Sequence, residues 1–280
     1  MPIKMNYLFS SIIILILSSF SFGQGLPETL EKKDFSIGNT LKIKSNILGE
    51  ERDLNIYLPL GYSVDSSKLY PVIYLLDGSA DEDFIHISGL VQFASFSWTN
   101  MLPESIVVGI GNVDRKRDFT YPATNEADRK DFPTSGHSAN FISFLEKEVQ
   151  PYIEANYQTN NNRTLIGQSL GGLLATEILF YHPQLFDNYI IVSPSLWWDN
   201  ESLLSQTPLP SYRKKSIYIA VGKEGDIMER TAKALYEKIN DGTTDTKHIF
   251  FEFLSDKTHA DALHQAVYNA FNILFNPNNE

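Results

Sequence analysis

Hydrophobic and polar positions change period along this chain. After the first stretch of residues, "TLKIKSNILGEERDLNIYLPLGY" alternates in two segments around Gly49-Glu50, which predicts an antiparallel β pair. The pattern then becomes short and continuous. "YPVIYLL" (70–76), "SIVVGIG" (105–111), "RTLIG" (163–167), "YIIVSPS" (189–195), "SIYIAVG" (216–222) and "HIFFEFL" (248–254) are apolar runs rich in Ile, Val and aromatic residues. Runs of this kind suit strands buried on both faces of a parallel sheet. Between them lie amphipathic helical patterns over 138–157, 170–182, 227–240 and 260–275. This alternation predicts an α/β class chain with a doubly wound, mostly parallel sheet, entered through an N-terminal antiparallel strand pair. In such sheets reacting groups collect in the loops at the carboxyl edge.

One of those edges reads Gly167-Gln168-Ser169-Leu170-Gly171, leading from an apolar run directly into a helical pattern. A G-x-S-x-G motif between strand and helix is the sequence form of a nucleophile elbow, in which glycines tolerate a sharp turn that projects the serine hydroxyl. A serine hydroxyl needs a base to take its proton and a carboxylate to orient that base. In α/β-hydrolases the chain order is serine, acid, histidine. Among six histidines, only His259 combines this order with a strand-end loop; His86, His182 and His248 read as surface or core residues and His264 as a helix-face residue. Two acids follow the run that ends at Gly222. Glu224 comes sooner and is preferred, while Asp226 is the alternative acid and also a natural cap for the following helix. Oxyanion donors are expected from the backbone N–H of Leu170, next after the serine, and of Ser79 in the loop "LLDGSADEDF".

Composition narrows the setting. The 280 residues include no cysteine, carry a formal charge of −11 and are 42% hydrophobic, with neither repeat nor low-complexity block. Stability must therefore come from packing rather than disulfides, and nucleic acid and anionic membrane surfaces are excluded as main partners. At the start, Lys4 precedes an apolar core from Leu8 to Phe20 and small residues at Ser21 and Gly23. This is the order of a secretory signal peptide over residues 1–23, cleaved near Gly23-Gln24, and it predicts a periplasmic or secreted protein without stable membrane insertion after cleavage. Residues 24–280 are expected to form one domain. The sequence leaves the oligomeric state open.

The stretches "YPVIYLLDGS", "GNVDRKRDFTYP", "FISFLEKEVQPYIEANY", "RTLIGQSLGGLLATEILFYHP", "FDNYIIVSPSLWW", "YIAVGKEGD" and "THADALHQAVYNAF" together resemble the esterase family of α/β-hydrolases that includes esterase D and the ferric enterobactin and salmochelin esterases. The likeness spans nearly all of the chain after the signal peptide. It implies the α/β-hydrolase fold, places the nucleophile on Ser169, the histidine on His259 and the oxyanion loop on Gly78-Ser79, and puts the acid in the segment from Glu224 to Asp226. Some siderophore-branch members are described as using a Ser-His pair alone. The chemistry implied is two-step acyl transfer without metal or organic cofactor. Its substrate would be a small-molecule or glycan ester. Trp197 and Trp198 read either as an aromatic wall beside the serine or as lids of the core. Arg115, Lys116 and Arg117 form a local basic cluster, with Arg117 either meeting an anionic substrate or pairing with Asp118. An exported acidic esterase fits acylated carbohydrate slightly better than a siderophore lactone. An acyltransferase and a non-catalytic ligand-binding module are the competing readings.

Overall fold

The structure, a computed structural model, describes residues 26–240 and 248–277. The expected signal peptide lies outside the described residues. Two units are distinguished, Met1–Phe35 and Ser36–Glu280. Within the first, the described residues 26–35 form neither helix nor strand.

The second unit holds a sheet of eight strands in the order β1-β2-β4-β3-β5-β6-β7-β8. Strands β1 (Asn39–Lys44) and β2 (Glu51–Tyr57) form the antiparallel pair, joined through a turn in which Gly49 takes a φ of 70°. The six apolar runs become β3 (Tyr70–Leu75), β4 (Ile106–Ile110), β5 (Thr159–Gln168), β6 (Asn188–Val192), β7 (Ser216–Gly222) and β8 (Ile249–Leu254). All six run parallel, and β2 meets β4 antiparallel.

Successive side chains of a strand point to opposite faces, so each inner strand feeds two cores. Val72 and Tyr74 enter one core, Ile73 and Leu75 the other; along β7, Ile217 and Ile219 part in the same way from Tyr218 and Ala220. The first core is closed by α4 (Ser138–Phe144), α5 (Gln150–Asn156), α6 (Leu170–Tyr181) and α7 (Asp226–Ile239). The second is closed by α1 (Phe84–Ala94) and α8 (Ala262–Phe275). The expectation of a doubly wound α/β sheet with an antiparallel entry pair is thus met. Helix α1 was not among the expected elements, although Phe84, Ile87, Val91 and Ala94 recur at helical spacing and are buried. Two short helices, α2 (Arg115–Phe119) and α3 (Glu126–Asp131), lie in the long connection after β4.

The predicted helix over 138–157 contains Pro151, which offers no N–H and crowds the carbonyl four residues before it. The chain accommodates it by a π-helical turn, Leu145–Val149, between α4 and α5, with Gln150 N–H reaching back to Leu145 O. From this turn Glu148 extends to the β1–β2 connection, accepting from Ser45 Oγ at 2.5 Å and from the N–H groups of Asn46 and Ile47 at 2.8 and 3.2 Å.

Strand order fixes where chemistry can sit. The chain moves from β3 to one neighbour, β4, then crosses back to the other, β5, and continues in that direction. The connections after β3 and β5 therefore leave the sheet to opposite sides and open a crevice at the carboxyl ends.

Candidate active site

At the end of β5 the chain turns through Ser169, whose φ of 59° and ψ of −120° are a conformation that non-glycine residues seldom hold. Holding it costs on the order of 1–3 kcal/mol, offset by its surroundings. Ser169 N–H donates to Val192 O at 3.1 Å, and Ser195 N–H donates to Ser169 O at 2.9 Å. Gly167 and Gly172 are required by close approach. A Cβ on Gly167 would lie 2.4 Å from Gly171 O, and one on Gly172 would lie 2.9 Å from Pro194 Cα. Leu170 opens α6, so its N–H is among the amide donors that a helix start leaves without an intrahelical partner.

His259 sits in the loop after β8, shaped by Asp261, whose Oδ1 accepts from Thr258 N–H and Thr258 Oγ1 at 2.6 and 2.8 Å. The neighbour of the serine reaches this loop directly, as Gln168 Nε2 donates to His259 O at 2.7 Å. His259 Nδ1 lies 2.5 Å from Glu224 Oε2. The other oxygen of Glu224 accepts from Ser193 Oγ at 2.5 Å and from Gly222 N–H at 2.9 Å. The Glu224 side chain is 2% exposed. Burial pushes its carboxyl upward, but the bonds from His259, Ser193 and Gly222 together outweigh that and hold it below the usual carboxylate range.

Of the two candidate acids, the structure therefore brings Glu224 to the imidazole. Asp226 is the exposed first residue of α7. It is not the cap: Gly225 occupies that position with a φ of 91°, and Glu229 accepts the N–H groups of Glu224 and Gly225 at 3.0 and 2.9 Å. Among the described residues the hydrogen-bond partner of Ser169 Oγ is Ser195 Oγ at 3.4 Å, and none links it to His259. Bonds between nucleophile and base are often long before substrate binds.

The β3 loop holds the second expected donor. Asp77 turns with a φ of 55°, and a Cβ on Gly78 would lie 2.3 Å from Gly109 Cα, so this loop packs backbone to backbone against β4. Ser79 N–H lies 3.3 Å from Glu82 Oε2. Asp77 takes a two-pronged bond from Arg115, Nε to Oδ1 at 2.6 Å and Nη2 to Oδ2 at 2.9 Å. Arg115 Nη2 also donates to Gln168 O at 3.1 Å, and Asn112 Nδ2 to Asp77 Oδ1 at 2.7 Å. A fixed guanidinium fork thus ties the loops after β3 and β4 to the residue preceding the serine.

Ser193, Ser195 and Asp77 were not singled out in the sequence, Gln168 was named only within the elbow motif, and Arg115 only as part of the basic cluster. A signal existed for the first two, since "YIIVSPS" places both serines at a carboxyl edge. Arg117 takes the pairing reading, with Nε on Asp118 Oδ1 at 2.8 Å and its two terminal nitrogens on Glu50 at 3.0 and 2.6 Å. Arg52, fully buried, shares both acids. Trp198 takes the core reading: it is 0% exposed and donates from Nε1 to Tyr121 O at 3.0 Å. Its depth removes it from any wall. Trp197 is half-buried, 6.0 Å from the Phe132 ring. Among the described residues no three His, Asp or Glu side chains are arranged to hold a metal ion, and no helix is long and apolar enough to cross a membrane.

Comparison with known proteins gives this geometry a context. The chain is 30% identical over 228 residues to the ferri-bacillibactin esterase BesA of Bacillus subtilis, covering 73% of this chain and 78% of that one. It is 30% identical over 151 residues, about half of each chain, to the siderophore triacetylfusarinine C esterase of Aspergillus fumigatus. Its backbone matches the crystal structure of an IroE-like serine hydrolase from Shewanella oneidensis with a TM-score of 0.76 at 28% identity, covering 85% of this chain and 80% of that one. The family described as "Putative esterase" matches residues 45–271, and the chain belongs to that family: it is an α/β-hydrolase-fold carboxylic-ester hydrolase.

Proposed function

We propose that this esterase cleaves bulky siderophore esters through Ser169, His259 and Glu224. The observation that carries the proposal is the solvent-excluded Glu224 carboxylate 2.5 Å from His259 Nδ1. An acceptor there fixes the proton on Nδ1 and leaves Nε2 as the base. His259 accepts the Ser169 proton as Oγ adds to the ester carbonyl carbon. The N–H groups of Leu170 and Ser79 hold the oxyanion, with Ser79 released from its long contact to Glu82. Collapse expels the alcohol, which takes the proton from His259. Water, deprotonated by the same imidazole, then adds to the acyl-enzyme and frees the acid and Ser169.

Siderophore esters rank above carbohydrate esters in this proposal, reversing the order read from the sequence, because several relatives, the ferri-bacillibactin and triacetylfusarinine C esterases among them, are named for siderophores. The withdrawal of Trp198 from the surface also removes half of the aromatic wall that favoured sugars. The N-terminal pattern of residues 1–23 supports export, to be checked by fractionating cells that express the full chain. The substrate test is product identification by mass after incubation with iron-loaded bacillibactin, triacetylfusarinine C and feruloyl oligosaccharides, with and without an added alcohol acceptor. Siderophore fragments formed by wild type and lost in Ser169→Ala are expected. Turnover of the oligosaccharides alone would overturn the substrate assignment, and acyl transfer to the alcohol in preference to water would overturn hydrolysis.

A further inference from the structure

A cavity of mixed polar and apolar lining lies away from the serine. It has a volume of about 430 Å³ and is bordered by Tyr121, Glu177, Tyr181, Asp199, Ser202 and Gln206. Glu177 is eight residues beyond Ser169 on α6, about 12 Å along the helix axis. All of the cavity's borders belong to α6 and to the connections after β4 and β6.

Its polar balance is uneven. Glu177 is 8% exposed; its Oε1 accepts from Ser138 Oγ at 3.0 Å, while its Oε2 is buried and has no hydrogen-bond partner among the described residues. A carboxylate oxygen so placed incurs the cost of desolvation with nothing to offset it. Asp199 is a second carboxylate, but its Oδ1 already accepts from Thr124 N–H, Thr124 Oγ1 and Asn125 N–H at 2.6, 2.9 and 2.8 Å. Tyr121 and Ser202 hydroxyls satisfy one another at 3.0 Å. Among the described residues no Lys, Arg or His borders the cavity. What is missing is a donor with positive charge, and two tyrosine rings at the border supply flat surfaces on which a cation's stem can lie.

We propose that this cavity binds a compact organic cation, an ammonium or guanidinium on a short apolar stem, with Glu177 Oε2 as its anchoring acceptor. The site would be coupled to protons. Burial raises the Glu177 carboxyl to about 7, opposed by the Ser138 bond, so the empty cavity holds a proton near neutral pH that a bound cation displaces. The other titratable groups of the cavity do not compete in that range, because burial raises the Tyr121 and Tyr181 hydroxyls and hydrogen bonds from Asn125, Thr124 and Ser202 hold Asp199 low against its own burial.

The test is calorimetric titration of the full chain with n-butylammonium and agmatine, and with n-butanol as the neutral counterpart, in buffers of differing ionisation enthalpy between about pH 6 and about pH 8. Binding of at least one cation at about 1 mM or tighter is expected, with proton release and an affinity that rises with pH. n-Butanol should bind at least about tenfold more weakly. Glu177→Gln keeps the shape and removes the charge, and should weaken cation binding by about tenfold or more. Gln206→Lys brings an ammonium to the border and should block the site from within. Folding of both variants is followed by near-ultraviolet circular dichroism and by hydrolysis of a short aryl ester, which neither should change. Equal cation binding by wild type and Glu177→Gln, equal binding of n-butanol, or no binding of either cation would overturn the proposal.

Discussion

Replacing Glu224 by Gln tests the acid more sharply than removing it, because the partners of the carboxylate dictate how the amide must sit. Gly222 N–H is an obligate donor at 2.9 Å from Oε1, and Ser193 Oγ lies 2.5 Å from the same atom. The glutamine oxygen is therefore retained there, which turns its NH₂ toward His259 Nδ1. Two donors cannot face one another, so the imidazole must place its proton on Nε2 and becomes an acceptor toward residue 224. That tautomer cannot take the Ser169 proton. In serine proteases the equivalent exchange costs about 10⁴-fold in kcat, or about 5 kcal/mol of transition-state stabilisation. With Glu224 equally enclosed, a loss of about 10³- to 10⁴-fold is expected here. The assay is steady-state hydrolysis of a short activated aryl ester, paired with nitrogen-15 NMR of the His259 ring to read the tautomer and circular dichroism to confirm folding. Asp226→Asn, altering an exposed helix-start residue, is the matched control and should stay within about twofold. A folded Glu224→Gln protein with turnover within about tenfold of wild type would refute the orienting role and point to a Ser-His pair.

The two adjacent tryptophans should separate cleanly: Trp198→Ala lowers stability by about 3–5 kcal/mol in denaturant titration, whereas Trp197→Ala should act less on stability than on KM for bulky substrates. Arg115→Lys keeps the charge but loses the fork that joins Asp77 to Gln168 O, so kcat/KM should fall about tenfold or more, and an unchanged value would show that the fork is dispensable. The buried Glu177 makes stability depend on pH in the direction opposite to Glu224. With its carboxyl raised from 4.5 to about 7 in the fold, the unfolded chain releases this proton first, so stability falls as pH rises between those values. Glu177→Gln should remove that slope, on the order of 3 kcal/mol at most, in melts compared at about pH 5 and about pH 8.

The parts of this molecule legible in its sequence are those that local pattern determines. All six parallel strands lie at the apolar runs; β4 and β6 are buried on both faces, and the edge strand β8 keeps its apolar run although it is partly exposed and carries Glu252. Ser169 and His259 were legible because a strand-end loop follows each run and α/β-hydrolase chemistry follows a fixed chain order. What was not legible depends on contacts across the sheet. That β3 lies between β4 and β5 follows from no residue in either strand, and the Arg115–Asp77 fork follows from that order. Trp197 and Trp198 are neighbours with the same side chain, and only the path of the chain decides which one is buried. The pairing of Arg117 with Asp118 was legible from adjacency, but its second partner, Glu50, was not, because the hairpin turn brings it from 67 residues away.

The clasp of Glu148 on the β1–β2 turn sets an order of assembly. Ser45 and its acceptor are 103 residues apart in the chain, and at synthesis rates of about 5–20 residues per second the turn waits on the order of 5–20 s for that carboxylate to be made. Until β4 (Ile106–Ile110) is made, β2 also lacks its partner across the sheet, so for the earlier part of that interval the nascent hairpin is marginal on its own. The first strands to be synthesised are thus left unclasped until about half of the chain is made, and a chaperone that shields the emerging hairpin would act where this chain is most exposed to mispairing.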